Sequence, residues 1–293
     1  MDGVHAAIMP DGRRLHLQQG PIDLLVLAEA VSPADATRAF EAAVERFRGM
    51  LQEIVDELPF LRRRCRQNRQ GPEGAVAKRM HRAVLPHRSS SFVTPMAAVA
   101  GAVADEILAA MTSVAELRRA YVNNGGDIAV HLEPQEQFKI AVAGLDGALN
   151  GEITITGTSG IRGIATSGQG GRSHSLGIAD SVTVAGRSAA AADAAATLVA
   201  NAVDLPGHAE IARCPAEELD PDSDLGSRQV VVGTGRLHAI EIKRALSRGA
   251  GRASQMRAAG LLDAAALRLR DAWLIVGDEG CIRGPGKRTV QNG

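Results

Sequence analysis

The sequence predicts an α+β fold, in which a few long helices pack on a β-sheet. Strand-like runs occur in clusters, and they do not alternate one by one with helices as they do in parallel α/β folds. Two helical runs are rich in alanine, which suits helices that pack closely in a core. With 293 residues, 45% of them apolar and 23% charged, the chain is long enough to bury that core without disulfides or metals.

The composition argues against several classes of function. The 33 basic residues balance the 33 acidic ones, so no net positive field attracts nucleic acid. Aromatic residues make up only 2% of the chain, which argues against the stacking platforms of single-strand binders. The three cysteines lie far apart and form no C-x-x-C pair, so neither a disulfide framework nor a thiolate zinc site is expected.

We expect a soluble, cytoplasmic protein. The N-terminal residues carry several charges and lack the apolar stretch of a signal peptide. The most apolar run, Met96 to Met111, contains Asp105 and Glu106 and is shorter than the roughly 20 residues that a membrane span needs. No membrane partner is therefore expected.

The first part of the chain predicts one strand and two helices. The apolar run 22–27 follows a Gly-Pro turn and is typical of a short strand. Ser32 is a suitable N-cap for a helix whose apolar residues recur at steps of three and four, and Pro59 is expected to stop it. Thr94 caps a second helix, which extends to about Met111.

Residues 62–91 form a stretch rich in arginine, and two interpretations of it stay open. The stretch is either a solvated loop or helix end, or a basic rim that steers an anionic substrate.

The remaining elements follow from periodicity. Residues 188–203 predict an alanine-rich helix, 254–270 predict a further helical stretch, and 215–227 predict a loop. Strand-like runs occur at 121–122, 128–130, 138–142, 152–156, 161–165, 181–184, 230–232 and 273–276.

Two glycine-rich segments are the first candidates for a ligand site. In Asn123–Asp127, two adjacent glycines separate two strand-like runs. They form either a plain tight turn or a place where bare backbone N–H groups approach a phosphate. The segment 163–174 runs from a strand through Thr-Ser-Gly into more glycines and ends at His174. It is either a flexible hairpin or a loop that wraps an anion, and His174 is either a surface residue or a general base.

The third candidate is a carboxylate inside the alanine-rich helix. Seven of the eight residues from Ala189 to Ala196 are alanine, and the eighth is Asp193. Thr197 lies four residues further on, so both oxygens share one helix face and suit a hard cation such as Mg²⁺. In the alternative interpretation, Asp193 faces water and Thr197 bonds back to its own helix.

Together these segments resemble the ApbE family, the FAD:protein FMN transferases. The resemblance spans about residues 95–203, and the Ser175–Val184 run is most similar to a compact subfamily. The motifs, in the family's order, are Asn123–Asp127, Ala165–Gly168, Ser173-His174, Val182–Val184 and Ala192–Thr197.

The resemblance implies a single ApbE-like domain over residues 1–276, related to T-fold enzymes, with long helices on a mixed or antiparallel sheet. A flexible tail is expected at 277–293. It also implies an FAD (or FMN) site, a Mg²⁺ ion on Asp193 and Thr197, and catalysis by His174. The residues expected at the cofactor are Asn123, Gly125, Gly126, Asp127, Thr166, Ser167 and Gly168.

The implied reaction splits FAD and moves FMN to a threonine of an acceptor protein, or to water, with release of AMP. The alternative is a flavin- or pterin-like binding protein without transferase activity. Expected partners are the flavin nucleotide and an acceptor protein, without nucleic acid, and association into a homo-oligomer stays open. One departure from the family is that its usual Ala-Lys-Gly is Val99-Ala100-Gly101 here, so the lysine is missing.

Overall fold

The structure, a computed structural model, describes residues 3–66, 71–143, 149–171, 173–278 and 280–284. The strands are β1 His5–Ile8, β2 Arg14–Gln19, β3 Ile22–Ala30, β4 Leu117–Asn124, β5 Asp127–Leu132, β6 Gln137–Ala143, β7 Leu149–Thr156, β8 Gly163–Ser167, β9 Ser181–Gly186, β10 Ile211–Pro215, β11 Gln229–Thr234, β12 Ala264–Leu269, β13 Ala272–Val276 and β14 Ile282–Arg283. The α-helices are α1 Pro33–Phe47, α2 Met50–Asp56, α3 Leu58–Leu61, α4 Ala75–Val84, α5 Val99–Thr112, α6 Ala189–Ala202, α7 Ala216–Leu219 and α8 Ala239–Ala258.

A nine-stranded sheet organises the molecule, in the order β1-β2-β3-β4-β5-β8-β9-β12-β13, and every neighbouring pair is antiparallel. The helices α1 to α5 are inserted between β3 and β4, and α6 to α8 lie between β9 and β12. A second sheet has the order β14-β7-β6; β6 and β7 are inserted between β5 and β8, and β14 follows β13. The α+β prediction is therefore confirmed.

The nine-stranded sheet separates two cores. The larger core joins one face of the sheet to α1, α5, α6 and α8, and it is built mainly from alanine, valine and leucine. The smaller core joins the opposite face to the three-stranded sheet through residues such as Val130, Ile153 and Ile164. Because side chains alternate along a strand, the strands β5, β8, β9 and β12 contribute to both cores.

Helices α5 and α6 lie unusually close to each other and to the sheet. A Cβ built on Gly101 of α5 would lie 2.3 Å from the carbonyl oxygen of Ala189 in α6. A Cβ built on Gly163 of β8 would lie 2.1 Å from the backbone nitrogen of the same Ala189. Only glycine fits at either position, so the start of α6 is fixed against both neighbours.

The apolar segment Pro95–Thr112 is long and apolar enough to cross a membrane by length and composition, but half of it is buried inside the protein. It consists of a 3-10 turn followed by α5, whose residues Ala102, Ile107 and Met111 are fully buried. The segment is a core helix in this structure.

Several sequence-based predictions differ from the structure. The predicted helix ending at Pro59 is three helices, because Gly49 adopts φ 76° and breaks the first, and Pro59 lies inside α3. The stretch 62–91 contains the amphipathic helix α4, which the arginines obscured. The predicted helical stretch 254–270 is wrong: α8 ends at Ala258, and 264–269 is the buried strand β12. The predicted loop 215–227 contains the short helix α7.

The described part of the predicted tail contains β14, which pairs with β7. Residues 279 and 285–293 lie outside the described residues, so flexibility of the tail stays a prediction.

The close approach of α5 and α6 leads to a stability prediction. Gly101→Ala should destabilise the protein by about 1–3 kcal/mol, because a methyl group cannot enter this contact without moving a helix. Gly251→Ala is the matched control, since it lies inside α8 with nothing within 4 Å of an added Cβ. The control should stabilise the protein by about 0.5–1 kcal/mol. Urea unfolding of both variants measures these changes in the free energy of unfolding. Equal effects of the two substitutions would contradict the tight contact between α5 and α6.

Candidate functional site

The carboxylate of Asp105 on α5 caps the N-terminus of α6. The backbone N–H groups of Ala189 and Ala190 donate to its two oxygens at 3.0 and 2.9 Å. Ser188, the local N-cap, accepts a third hydrogen bond from Ala191 at 3.2 Å. The first turn of α6 is thus satisfied partly by its own chain and partly by a neighbouring helix.

Asp193 on α6 makes the reciprocal contact with the N-terminus of α5. Its Oδ2 accepts from the N–H of Gly101 at 3.1 Å, and the N–H of Ala100 also donates to this carboxyl. No side-chain cap is present at Ala98, the N-cap residue of α5. Asn124, at the end of β4, donates to the carbonyl of Ala100 at 3.2 Å. The hydrogen-bond partners of Asp193 therefore lie on another helix.

Three carboxylates are crowded behind these helix starts. Asp193 is partly exposed as a residue, but protein atoms surround its carboxyl group, and this burial raises its pKa well above the ordinary value. The negative charge of Asp127 raises the pKa further, and Asp105 adds a smaller effect in the same direction. Burial likewise raises the pKa of Asp105. Within the described ranges, no lysine or arginine forms an ion pair with Asp193.

The turn between β4 and β5 ties this carboxylate cluster to the sheet. Gly125 and Gly126 adopt φ 64° and 110°, as a two-residue hairpin turn requires. Asn123 accepts from the N–H of Gly126 at 2.8 Å, and Asp127 accepts from the N–H of Thr166 in β8 at 3.2 Å. The turn therefore has a fixed shape and is linked to the neighbouring strand.

A cavity of about 380 Å³ opens beside this turn, between the large sheet and the three-stranded sheet. Its apolar wall comes from both sheets, and its polar rim comes from the turn, the end of β8 and the loop after it. The apolar lining residues are Ile128, Ile140, Ala141, Val142, Ile153 and Ile164. The polar lining residues are Asn123, Thr166, Ser167, Asp180, Ser181, Thr183 and Arg268, and the lining glycines are Gly125, Gly126, Gly170 and Gly171.

Most residues expected at the cofactor lie at this cavity. Gly168 lies behind the rim with φ 138°, and a Cβ there would lie 2.7 Å from the carbonyl oxygen of Asp180. The N–H groups of Gly126, Gly170 and Gly171 already donate to protein oxygens, so these glycines allow a close approach rather than offering bare donors.

Asp127, which was expected at the cofactor, and the residues expected at the metal and in catalysis lie elsewhere around the site. Asp127 and Asp193 lie on the helix side of the sheet, and Thr197 is partly exposed one turn after Asp193. His174 is exposed, and its side chain forms no hydrogen bond or ion pair with another described residue. In the part of the chain that the structure describes, no three His, Cys, Asp or Glu side chains form a metal-sized cluster.

Sequence reasoning missed three residues of the site. Asp105 carried the same signal as Asp193, an acid in a helix of small apolar residues, but its partner lies 84 positions away. Asp180 and Arg268 line the cavity because β9 and β12 are neighbours, with Arg268 opposite Ser181. No local pattern brings these two segments together.

Comparisons with known proteins give the family context. The family model described as AbpE bacteria matches residues 6–280. A UPF0280 protein of Methanothrix thermoacetophila is 45% identical over 120 residues, which are 40% of this chain and 49% of that protein. One from Methanopyrus kandleri is 43% identical over 132 residues, 44% of this chain and 50% of that protein. The chain thus spans about half the length of the curated relatives it matches.

Two solved structures are similar at low sequence identity. The flavin transferase ApbE from Vibrio cholerae is 12% identical, with a TM-score of 0.44 over 95% of this chain and 98% of that chain. The apo form of the Pseudomonas stutzeri flavinyl transferase ApbE is 13% identical, with a TM-score of 0.34 over 64% of this chain and 50% of that chain.

The raised pKa of Asp193 leads to a prediction about pH. Folding favours the protonated form of the Asp193 carboxyl. The free energy of unfolding of the metal-free protein should therefore decrease as pH rises from the ordinary pKa of 3.8 through the raised pKa. Asp193→Asn keeps an oxygen for the N–H of Gly101 but cannot ionise. The stability of this variant relative to the parent should therefore increase with pH.

Thermal unfolding in EDTA from about pH 4 to about pH 8 measures this difference. A stability difference that stays constant over the range would contradict the raised pKa. Asp271→Asn, at an exposed position, serves as the control and should show no such trend.

Proposed function

The chain belongs to the AbpE bacteria family, and from that membership and its cavity we propose that it is a flavin-nucleotide enzyme. The proposed substrate is FAD. The proposed reaction splits the pyrophosphate and transfers FMN to a threonine hydroxyl of an acceptor protein, or to water, with release of AMP. The observation that carries the proposal is a cavity with an apolar wall, whose rim residue Thr166 donates its N–H to Asp127 of the carboxylate cluster.

The cavity suits the ring system of a flavin. Its volume of about 380 Å³ lies within the range of small-molecule sites, and its apolar wall is mainly isoleucine. A flavin ring is flat, with apolar faces and a polar edge. We assign the polar edge to Asp180 and Arg268, which offer an acceptor and a donor in the same cavity.

The phosphates of the nucleotide would then lie at the rim. Gly125 and Gly126 carry no side chain that blocks access, and Thr166 and Ser167 supply hydroxyl groups at the end of β8. Asn124, next to the turn, donates to the carbonyl of Ala100 at the start of α5, so the rim lies close to the carboxylate cluster and to a cation that would be held there.

Asp193 and Thr197 are the residues that would hold Mg²⁺. Oxygen ligands of this kind are the ones that Mg²⁺ prefers. The fit rests on electrostatics: the carboxyl of Asp193 is crowded by Asp127 and Asp105, so a cation would relieve their repulsion. When bound, the ion would neutralise charge on the pyrophosphate.

His174 is the proposed general base. It follows the glycine loop at the rim in the chain and is exposed, so its ring is open to an incoming hydroxyl group. It would accept the proton of the attacking threonine or water while the bond between the two phosphates breaks.

A binding protein without transferase activity is the second candidate. One observation favours it: Ala100 stands where the family usually has lysine, and its backbone N–H is occupied by Asp193. In that case a flavin- or pterin-like ligand would occupy the same cavity without turnover. The cytoplasmic location and a homo-oligomeric state stay predictions under both candidates.

The metal assignment predicts the behaviour of two variants in an assay of AMP release from FAD. Asp193→Ala should abolish the Mg²⁺-dependent activity, because it removes the charged ligand. Thr197→Val keeps the shape of the side chain and should show a milder loss. Matched controls are Asp271→Ala, at an exposed site, and Thr112→Val, whose hydroxyl bonds to its own helix.

The same assay separates the candidates. Absence of AMP release from the parent, with FAD still bound, would favour the binding protein. Equal Mg²⁺ dependence in the parent and Asp193→Ala would contradict the metal assignment.

A further prediction concerns His174. His174→Ala should lower turnover by roughly 10²-fold or more while FAD affinity stays nearly unchanged. His5→Ala, at another exposed histidine, is the control. An unchanged rate of AMP release would show that His174 is an ordinary surface residue.

A further inference from the structure

A second cavity lies in the arginine-rich stretch that follows α3. Its volume is about 460 Å³, and it is separate from the cavity at the glycine turn, with which it shares no lining residue. The residues that line it are Phe60, Arg63, Arg64, Cys65, Arg66, His81 and Pro95.

Three guanidinium groups at this cavity have no charge partner among the residues that the structure describes. The side chains of Arg63, Arg64 and Arg66 are exposed, and none forms an ion pair or hydrogen bond with another residue in the described ranges. The neighbouring arginines behave differently, since Arg62 lies 3.7 Å from Asp222 and Arg79 pairs with Glu106. The chain as a whole has zero net charge, so these three arginines form a local excess of positive charge that no ion pair among the described residues offsets.

The wall behind these arginines is fixed. Cys65 is buried, and its N–H donates to the carbonyl of Val93 at 2.7 Å. The rings of Phe60 and His81 pack edge to face with centroids 5.4 Å apart. Burial lowers the pKa of His81, so at neutral pH its ring is an uncharged hydrogen-bonding group. The cavity therefore has a packed aromatic wall and three exposed arginines at its opening.

We propose that this cavity is a second ligand site, which binds a small phosphate-bearing anion. Guanidinium groups bind phosphate oxygens in pairs of parallel hydrogen bonds, and three of them suit an oligophosphate better than a single carboxylate. The volume is that of a small-molecule site. Of the two interpretations of residues 62–91, this site corresponds to the basic rim, with that role confined to three of the arginines.

The site is independent of the proposed flavin cavity, and the test keeps the two apart. Inorganic tripolyphosphate is titrated into the full chain by isothermal calorimetry in EDTA, which removes any divalent ion. The test variant carries Arg63→Gln, Arg64→Gln and Arg66→Gln. The control variant carries Arg236→Gln, Arg244→Gln and Arg248→Gln, three exposed arginines elsewhere on the surface that also lack an ion pair among the described residues.

The parent and the control variant should bind tripolyphosphate at a single site, and the test variant should bind it roughly 10²-fold more weakly. Arg64→Gln alone should give an intermediate loss. The unfolding temperature of the test variant should equal that of the parent, because the replaced side chains are exposed. The proposal is overturned if the parent does not bind, if the test variant binds as well as the parent, or if both triple variants lose affinity equally.

Discussion

Two helices that cap each other are the contact on which the rest of the structure depends. Asp105 of α5 holds the first N–H groups of α6, and Asp193 of α6 holds those of α5. Each such cap is worth about 0.5–2 kcal/mol, and it works only if the helices approach closely. Gly101 and the alanines of α6 allow that approach. The close packing of the two helices therefore accounts for their small residues. Asp193 has a structural role as a helix cap, whether or not it also binds a ligand.

The same contact brings the carboxylates of Asp105, Asp127 and Asp193 close together at one end of the sheet. Asp127 lies beside Asp193 because the β4–β5 turn lies at the start of α5, where Asn124 donates to the carbonyl of Ala100. Among the described residues, no cationic side chain is paired to Asp193 to offset the repulsion between these carboxylates. On the other face of the sheet, the turn borders an apolar cavity. A ligand with an apolar ring and a charged tail, together with a divalent cation, matches both halves of this arrangement.

Elements that depend on local sequence patterns could be predicted from the sequence, whereas contacts between distant segments of the chain could not. The hairpin around Gly125-Gly126 and the helix α6 follow from turn residues and helix capping, and both were predicted correctly. Strand β12 was predicted as helix because its alanines and leucines favour helices, but it is buried between β9 and β13. That strand carries Arg268, so the error in secondary structure also hid a residue of the site. The partners of Asp193 lay on another helix, which no spacing rule reveals.

Binding of FAD to the cavity between the two sheets is the central claim, and a titration followed by flavin fluorescence tests it most directly. Ala141 lines this cavity and is exposed, so Ala141→Trp should fill the space with little effect on folding. The account predicts saturable binding of FAD at micromolar concentration to the parent and loss of that binding in Ala141→Trp. Equal binding by both proteins, or an unchanged signal from the parent at high FAD, would contradict it.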